Sequence, residues 1–90
     1  MIRIVIAEDQ RMLRSALGTL LSMEEDFEVV GEADNGEDAL KLIENLQPDI
    51  CLLDIEMPRK SGLEVASDLK KIGSDCKVII LTTFARPGYF

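Results

Sequence analysis

Acidic side chains follow the first and third apolar runs of this chain. Glu8 and Asp9 come directly after I-R-I-V-I-A, while Asp54 and Glu56 follow I-C-L-L. Three carboxylates that share one crevice repel each other by about 4 kcal/mol per pair, at a separation of about 4 Å and an effective dielectric constant near 20. Mg²⁺ removes that repulsion, because it binds one or two carboxylates together with water or phosphate oxygens. If the fold brings the two runs together, Glu8, Asp9 and Asp54 therefore predict a magnesium site.

The elements that would position these acids alternate along the chain. Short β-branched runs predict strands, and apolar residues at helical spacing predict helices between them. A first helix follows the first strand, a second opens at Asn35 and Gly36 and is closed by Pro48, and a third opens with the capping-box spacing Ser61 to Glu64. The predicted strands are 2–7, 27–31, 50–54 and 77–82, and the first and third helices are 10–22 and about 62–72.

Helical periodicity also predicts which side chains face inward. Gly73 suits the end of the third helix, because glycine readily takes the left-handed conformation found there. The residues expected on the buried faces are Leu13, Ala16, Leu17, Leu20 and Leu21 in the first helix, Ala39, Leu40, Ile43 and Leu46 in the second, and Leu63, Ala66, Leu69 and Ile72 in the third.

Strict alternation of strand and helix predicts an α/β fold. The expected architecture is a doubly wound parallel sheet, with right-handed crossovers and helices on both faces. Functional groups of such sheets gather at the carboxyl ends of the strands. Glu32 and Asp34 follow the second predicted strand, and Thr82 and Thr83 complete the set after the fourth.

Each candidate residue also has a simpler explanation. Asp9 could cap the first helix, Asp54 could be a solvated strand-end residue, and Thr82 and Thr83 could be ordinary β-branched strand residues. The occurrence of acids and hydroxyls at the same end of three strands nevertheless favours a common site.

Size and charge limit the classes of function. Ninety residues with 47% hydrophobic content predict one domain over 1–90, and the net charge of −7 with a pI near 4.4 argues against direct nucleic-acid binding. No apolar run is long enough to cross a bilayer, so we expect a soluble cytoplasmic protein without a membrane partner. Cys51 and Cys76 are expected to be free thiols, and the absence of histidine argues against zinc.

Four motifs together resemble a known family. The segments I-A-E-D-Q, L-L-D-I-E-M-P, S-G-L-E and I-I-L-T-T are similar, in this order, to the receiver domain of bacterial two-component response regulators. The details I-A-E-D-Q, D-I-E-M-P and L-T-T-F-A-R-P-G-Y-F resemble the NarL/LuxR-type subgroup. The resemblance implies a flavodoxin-like (CheY-like) fold with strand order 2-1-3-4.

The resemblance also implies a role for each residue. Asp54 would accept a phosphoryl group from a sensor histidine kinase, and Thr82, next to Thr83, would be the switch hydroxyl. Mg²⁺ would be held by Glu8, Asp9, Asp54 and the backbone carbonyl of Glu56, whose side chain would also influence the access of hydrolytic water. The domain would accept phosphate without being a turnover enzyme, although slow autodephosphorylation is compatible with this chemistry.

One difference from the family concerns the end of the sequence. Receivers of this family continue with another helix, a fifth strand carrying a lysine, and a final helix. We therefore expect a C-terminally truncated receiver, in which the fourth strand forms an edge that favours homodimerisation or self-association. A DNA-binding output domain would belong to the parent transcription regulator.

Other functions remain open at the level of sequence. A haloacid-dehalogenase-like phosphohydrolase would also use Asp54 as a nucleophile, with Glu56 two residues later, but Glu8 and Asp9 would then have no role. A nucleotide- or flavin-binding module would need glycines after the first strand, where this chain has acids. A receiver that acts as an interaction domain without phosphorylation is a third alternative.

Overall fold

The computed structural model describes residues 1–81, and the predicted elements within that range are all present. Thr82, which was assigned to the fourth strand, lies outside the described residues. The strands are β1 (Ile2–Ala7), β2 (Phe27–Ala33), β3 (Ile50–Asp54) and β4 (Lys77–Leu81), and the helices are α1 (Arg11–Ser22), α2 (Gly36–Leu46) and α3 (Gly62–Lys71).

The four strands form one parallel sheet in the order β2-β1-β3-β4. This confirms the predicted α/β fold and its strand order. The order places β1 beside β3, although α1, β2 and α2 separate the two strands in sequence. The register pairs Ala7 with Leu53 and Asp54 with Leu81, so the carboxyl ends of β1, β3 and β4 meet at one edge of the sheet.

The second strand is longer than predicted. It continues through Glu32 and Ala33, which pair with Ile6 and Ala7 of β1. A shift in register between Ile4 and Val5 marks an irregularity in this pairing. Glu32 is therefore a residue of β2 and does not follow it as the sequence had suggested.

Two apolar layers enclose the sheet. On one face, alternate strand residues pack against α2 and α3, and on the other face the remaining strand residues pack against α1. This division follows from the alternation of side chains along each strand. Buried members of the first layer include Val5, Ala7, Cys51, Leu53, Ile43, Val65 and Leu69, whereas Ile4, Ile6 and Leu52 form the second with Leu17 and Leu21 against them.

The buried face of α3 differs from the predicted one. Val65 and Leu69 are buried, whereas Leu63 and Ile72 are more than half exposed. The predicted residues are spaced strictly three apart. Because a helix turns about 100° per residue, residues at that spacing do not stay on one face. The positions that face the sheet are Gly62, Val65, Ala66 and Leu69.

In α1 the prediction was wrong for Ala16 and Leu20, which are exposed. The helix approaches the sheet through Gly18, the one buried residue of α1, and through Leu17 and Leu21 beside it. In α2 the predicted residues are all buried or packed against the core.

The helix ends agree with the sequence signals. Asn35 caps α2 by accepting a hydrogen bond from the backbone N–H of Asp38 at 2.9 Å. Ser61 and Glu64 form the predicted capping box of α3, and Gly73 takes a φ of 71° just beyond its end. Gln10 precedes α1 without a side-chain cap bond, so Asp9 is not the N-cap of this helix.

Close backbone contacts hold the β3–α3 loop, residues 55–61, against both neighbouring helices. A Cβ atom at Gly62 would lie 2.3 Å from the carbonyl oxygen of Asp54, and one at Gly36 would lie 2.2 Å from the carbonyl oxygen of Lys60. The backbone N–H of Gly62 donates to the carbonyl of Ile55 at 3.0 Å. Positions 36 and 62 therefore require glycine, because a side chain there would clash with the backbone of Lys60 or Asp54.

This contact predicts that Gly62→Ala destabilises the domain. The added methyl group would have to displace the backbone at Asp54, and overpacking of this kind typically costs about 1 to 3 kcal/mol. Gly18→Ala is the matched control, since its Cβ would lie 3.3 Å from the flexible carboxylate of Glu32. Urea denaturation should show a lower midpoint for Gly62→Ala only. Equal midpoints for both variants would contradict the close contact.

Candidate metal and phosphoacceptor site

The structure brings Glu8, Asp9 and Asp54 together at the carboxyl edge of the sheet. One carboxylate oxygen from each residue lies within 4.8 Å of the other two. Glu8 and Asp54 are buried, with 0% and 1% of their surfaces exposed, while Asp9 is partly exposed. Two acids of the cluster are therefore buried, and the third, Asp9, lies at the protein surface.

Burial changes the acidity of this cluster. Desolvation raises the pKa of Glu8 from 4.5 to about 7, and a hydrogen bond with Asp9 and the negative charges of Asp54 and Asp9 act in the same direction. The hydrogen bond from the backbone N–H of Gln10, at 2.8 Å, opposes this rise. Near neutral pH, Glu8 is thus poised between its neutral and charged forms.

The β1–α1 turn is held by the side chain of Arg14. Its Nη1 donates to the backbone carbonyl of Glu8 at 2.8 Å, and its Nε lies 3.6 Å from a carboxylate oxygen of Glu32 on β2. Arg14 thereby links α1, the turn and β2 behind the cluster. A helix pattern contains no signal for such a long-range contact, so this role of Arg14 is not predictable from the sequence.

The loop after β3 presents Glu56 to solvent and anchors itself through Met57. The side chain of Glu56 is exposed, whereas that of Met57 is buried in the core. The carbonyl of Pro58 accepts hydrogen bonds from the backbone N–H groups of Gly36 and Lys60, at 3.3 and 2.8 Å. These contacts connect the loop to the start of α2.

Lys60 is one of two cations in the β3–α3 loop; the other, Arg59, has its Nη1 4.0 Å from a carboxylate oxygen of Glu37. Its ammonium group forms an ion pair with Asp68 of α3, and this hydrogen bond raises the pKa of Lys60 and lowers that of Asp68. Lys60 is thus engaged with α3.

The two predicted hydroxyl residues, Thr82 and Thr83, lie outside the described residues. The last described residue of β4 is Leu81, whose Cα pairs with Asp54. The backbone N–H of Ile55 donates to the carbonyl of Leu81 at 3.3 Å, which continues the contact between β3 and β4 one residue past Asp54.

The donor atoms of the cluster fit a hard cation. All three side chains offer oxygen, two of them come from adjacent residues of one turn, and neither cysteine belongs to the group. Oxygen ligands in small number, with room for water, are what Mg²⁺ requires. The chemistry of the residues is therefore compatible with the predicted magnesium site.

Comparison with known families identifies the domain. Residues 4–89 match the model of the response regulator receiver domain. The chain belongs to the response regulator receiver family. This result favours the predicted receiver over the phosphohydrolase and nucleotide-binding alternatives. The domain is therefore a regulatory domain.

Two relatives from Bacillus subtilis (strain 168) align with the whole chain. The uncharacterized transcriptional regulatory protein YvfU is 66% identical and the transcriptional regulatory protein DesR is 61% identical, each over 90 residues. The alignments cover 45% and 44% of these proteins, so the chain spans less than half the length of either relative.

Solved structures show the same architecture. A DNA-binding response regulator of the LuxR family from Staphylococcus aureus has a TM-score of 0.90 and 51% identity, with 100% of this chain and 75% of that one covered. The receiver domain of the putative regulator NarL from Mycobacterium tuberculosis also has a TM-score of 0.90, at 34% identity over 96% of this chain and 69% of that one. The resemblance to NarL/LuxR-type receivers is confirmed.

Helices that could cross a membrane are absent from residues 1–81, because none combines sufficient length with sufficient apolar character.

The raised pKa of Glu8 predicts a pH-dependent stability in metal-free buffer. The folded state binds this proton more tightly than the unfolded chain, whose glutamate titrates near 4.5. The free energy of unfolding should fall as pH rises from about 4.5 to about 7, by about 3 kcal/mol at most, and remain lowered above pH 7. Urea denaturation in EDTA at several pH values would measure this.

Glu8→Gln provides the control for that experiment, because glutamine keeps the shape of the side chain and does not titrate. The variant should lose most of the fall in stability between about pH 4.5 and pH 7. A wild type whose stability is constant across this range would contradict the raised pKa of Glu8.

Proposed function

We propose that Asp54 accepts a phosphoryl group from a sensor histidine kinase, with Mg²⁺ bound by Glu8, Asp9, Asp54 and the backbone carbonyl of Glu56. The observation that carries this proposal is the convergence of the three carboxylates at the end of β1 and β3, within 4.8 Å of one another. A carboxylate at the edge of a sheet, beside oxygen ligands for a cation, has the surroundings that phosphoryl transfer requires.

The chemistry assigned to Asp54 is nucleophilic. A carboxylate oxygen of Asp54 attacks phosphorus, the bond between phosphorus and the histidine nitrogen of the kinase breaks, and an acyl phosphate forms. Mg²⁺ would supply neutralisation of the charge on the phosphoryl oxygens. The protein contributes mainly position, because Asp54 is anchored at the end of β3 and Gly62 packs directly on its carbonyl.

The surroundings of Asp54 suggest how the modification would be sensed. An acyl phosphate carries more negative charge than the carboxylate that it replaces. We assign Thr82 as the hydroxyl that turns towards this group, Thr83 as its neighbour in the switch segment, and the exposed Glu56 as the side chain that limits the approach of water. The pairing of Asp54 with Leu81 supports the assignment of Thr82, since Thr82 follows directly.

At the level of the parent protein, we propose a cytoplasmic transcription regulator. Both B. subtilis relatives carry the name transcriptional regulatory protein, and the chain corresponds to less than half of either. Phosphorylation of residues 1–90 would control homodimerisation and a separate DNA-binding output domain. The net charge of −7 supports a division of labour in which this domain does not bind DNA itself.

Magnesium binding predicts a specific stabilisation. Relief of carboxylate repulsion should raise the melting temperature, and at a Mg²⁺ concentration ten times the dissociation constant the gain is about 1.4 kcal/mol, or roughly 5 to 10 °C. Asp9→Asn should abolish the shift because it removes a ligand. Glu44→Gln, an exposed residue of α2, is the matched acid-to-amide control and should keep it. Absence of a shift in the wild type would refute the metal site.

Phosphoryl acceptance can be tested with acetyl phosphate and Mg²⁺. Intact-mass spectrometry should show the mass of one added phosphoryl group on the wild type, and hydroxylamine should remove it, as expected of an acyl phosphate. Asp54→Asn should remain unmodified, since its amide is a poor nucleophile. Modification of Asp54→Asn to the same extent, or none of the wild type, would contradict the assignment of Asp54.

A further inference from the structure

A pair of thiols lies at the opposite end of β3 from the acidic cluster. Cys51 belongs to β3, and Cys76 directly precedes β4. The two Sγ atoms are 3.1 Å apart, and each lies 3.6 Å from the backbone carbonyl oxygen of Lys77. Both cysteines are free, so this is a dithiol already in van der Waals contact.

The backbone holds this pair in place. Lys77 pairs with Ile50 across the two strands, and its N–H donates to the carbonyl of Asp49 at 3.0 Å. The N–H of Cys76 donates to the hydroxyl of Ser74 at 3.2 Å. A disulfide needs its sulfurs at about 2.05 Å, so the two Sγ atoms would have to approach each other by a further distance of roughly 1 Å.

The two thiols differ in their access to solvent. Cys51 is completely buried, whereas Cys76 is partly exposed and lines a surface cavity of about 810 Å³ with Asp49 and Ser74. A small oxidant in the cavity would therefore meet Cys76 first. Cys51, buried and in contact with Cys76, has the position of a resolving thiol.

The surroundings also determine how fast such a reaction would be. Burial raises the pKa of both thiols, and the negative charge of Asp49 acts in the same direction on Cys76. Thiolates are the reactive species, so this pair reacts more slowly than an exposed cysteine. The pair would thus respond to sustained oxidant and remain reduced during brief exposure.

We propose that Cys51 and Cys76 form a redox-sensitive dithiol, which hydrogen peroxide converts into an intramolecular disulfide. The Cys76 sulfur attacks a peroxide oxygen, the O–O bond breaks, and a sulfenic acid and one water form. The Cys51 sulfur then attacks the Cys76 sulfur, the S–O bond breaks, and the Cys51 proton leaves with the hydroxyl as a second water. Both sulfurs are oxidised, and the peroxide is reduced to two waters.

The bond would enclose a functionally important part of the chain. The segment between Cys51 and Cys76 contains Asp54, the β3–α3 loop and all of α3. A cross-link restricts this segment in the unfolded state and joins β3 to the start of β4. Oxidation should therefore stabilise the domain.

The experiment is peroxide treatment of the 90-residue chain, followed by denaturation and N-ethylmaleimide. The oxidised wild-type monomer should take up no maleimide, and two groups should add after reduction with dithiothreitol. Its melting temperature should rise by roughly 5 to 15 °C on oxidation. Uptake of two maleimides by the treated monomer, a bond only between two chains, or a lower melting temperature would overturn the proposal.

Two variants separate the roles of the thiols. Cys76→Ser should still take up one maleimide after peroxide, because Cys51 is shielded. Cys51→Ala leaves Cys76 without a resolving partner, so its sulfenic acid should proceed to a sulfinic acid that dithiothreitol does not reverse. Equal loss of maleimide uptake in Cys76→Ser would show that Cys51 reacts by itself, which would also overturn the assigned order.

Discussion

Mutual repulsion among Glu8, Asp9 and Asp54 is the constraint around which this domain is organised. Three carboxylates within 4.8 Å are unfavourable by themselves, and burial of two of them adds to the cost. They stay together because β1 and β3 are adjacent strands whose register is set by the apolar layers on both faces of the sheet. The stability of the core is therefore what keeps an electrostatically unfavourable site assembled.

The supporting contacts come from outside the cluster. Arg14 holds the carbonyl of Glu8 from α1, while the glycines at the start of α2 and α3 let those helices approach the loop after β3. Most of these contacts reach the backbone and leave the acidic side chains facing the edge of the sheet. Such an arrangement fixes the positions of the acids at the edge of the sheet.

The alternation of strands and helices, the caps of α2 and α3 and the convergence of Glu8, Asp9 and Asp54 could be predicted from the sequence, because they depend on local patterns and on the strand-end rule. Asn35 and the Ser61–Glu64 capping box are examples in which a few neighbouring residues determine the geometry. The face of α1 was less predictable. Whether Gly18 or Leu20 meets the sheet depends on how closely the helix approaches, which is a property of tertiary packing. The contact of Arg14 with Glu8 and the proximity of the two thiols are likewise long-range.

The hydrogen bond from Ile55 to Leu81 makes the two sides of the chain at Asp54 different. On the side of α3, Gly62 approaches the carbonyl of Asp54 so closely that a Cβ atom at position 62 would lie 2.3 Å from its oxygen. On the other side, the ladder between β3 and β4 extends past Asp54 through this one N–H group. A displacement of the backbone at Asp54 would therefore meet Gly62 on one side and change the hydrogen bond from Ile55 to Leu81 on the other. The last described pairing of the sheet is therefore the route by which a change at Asp54 reaches β4.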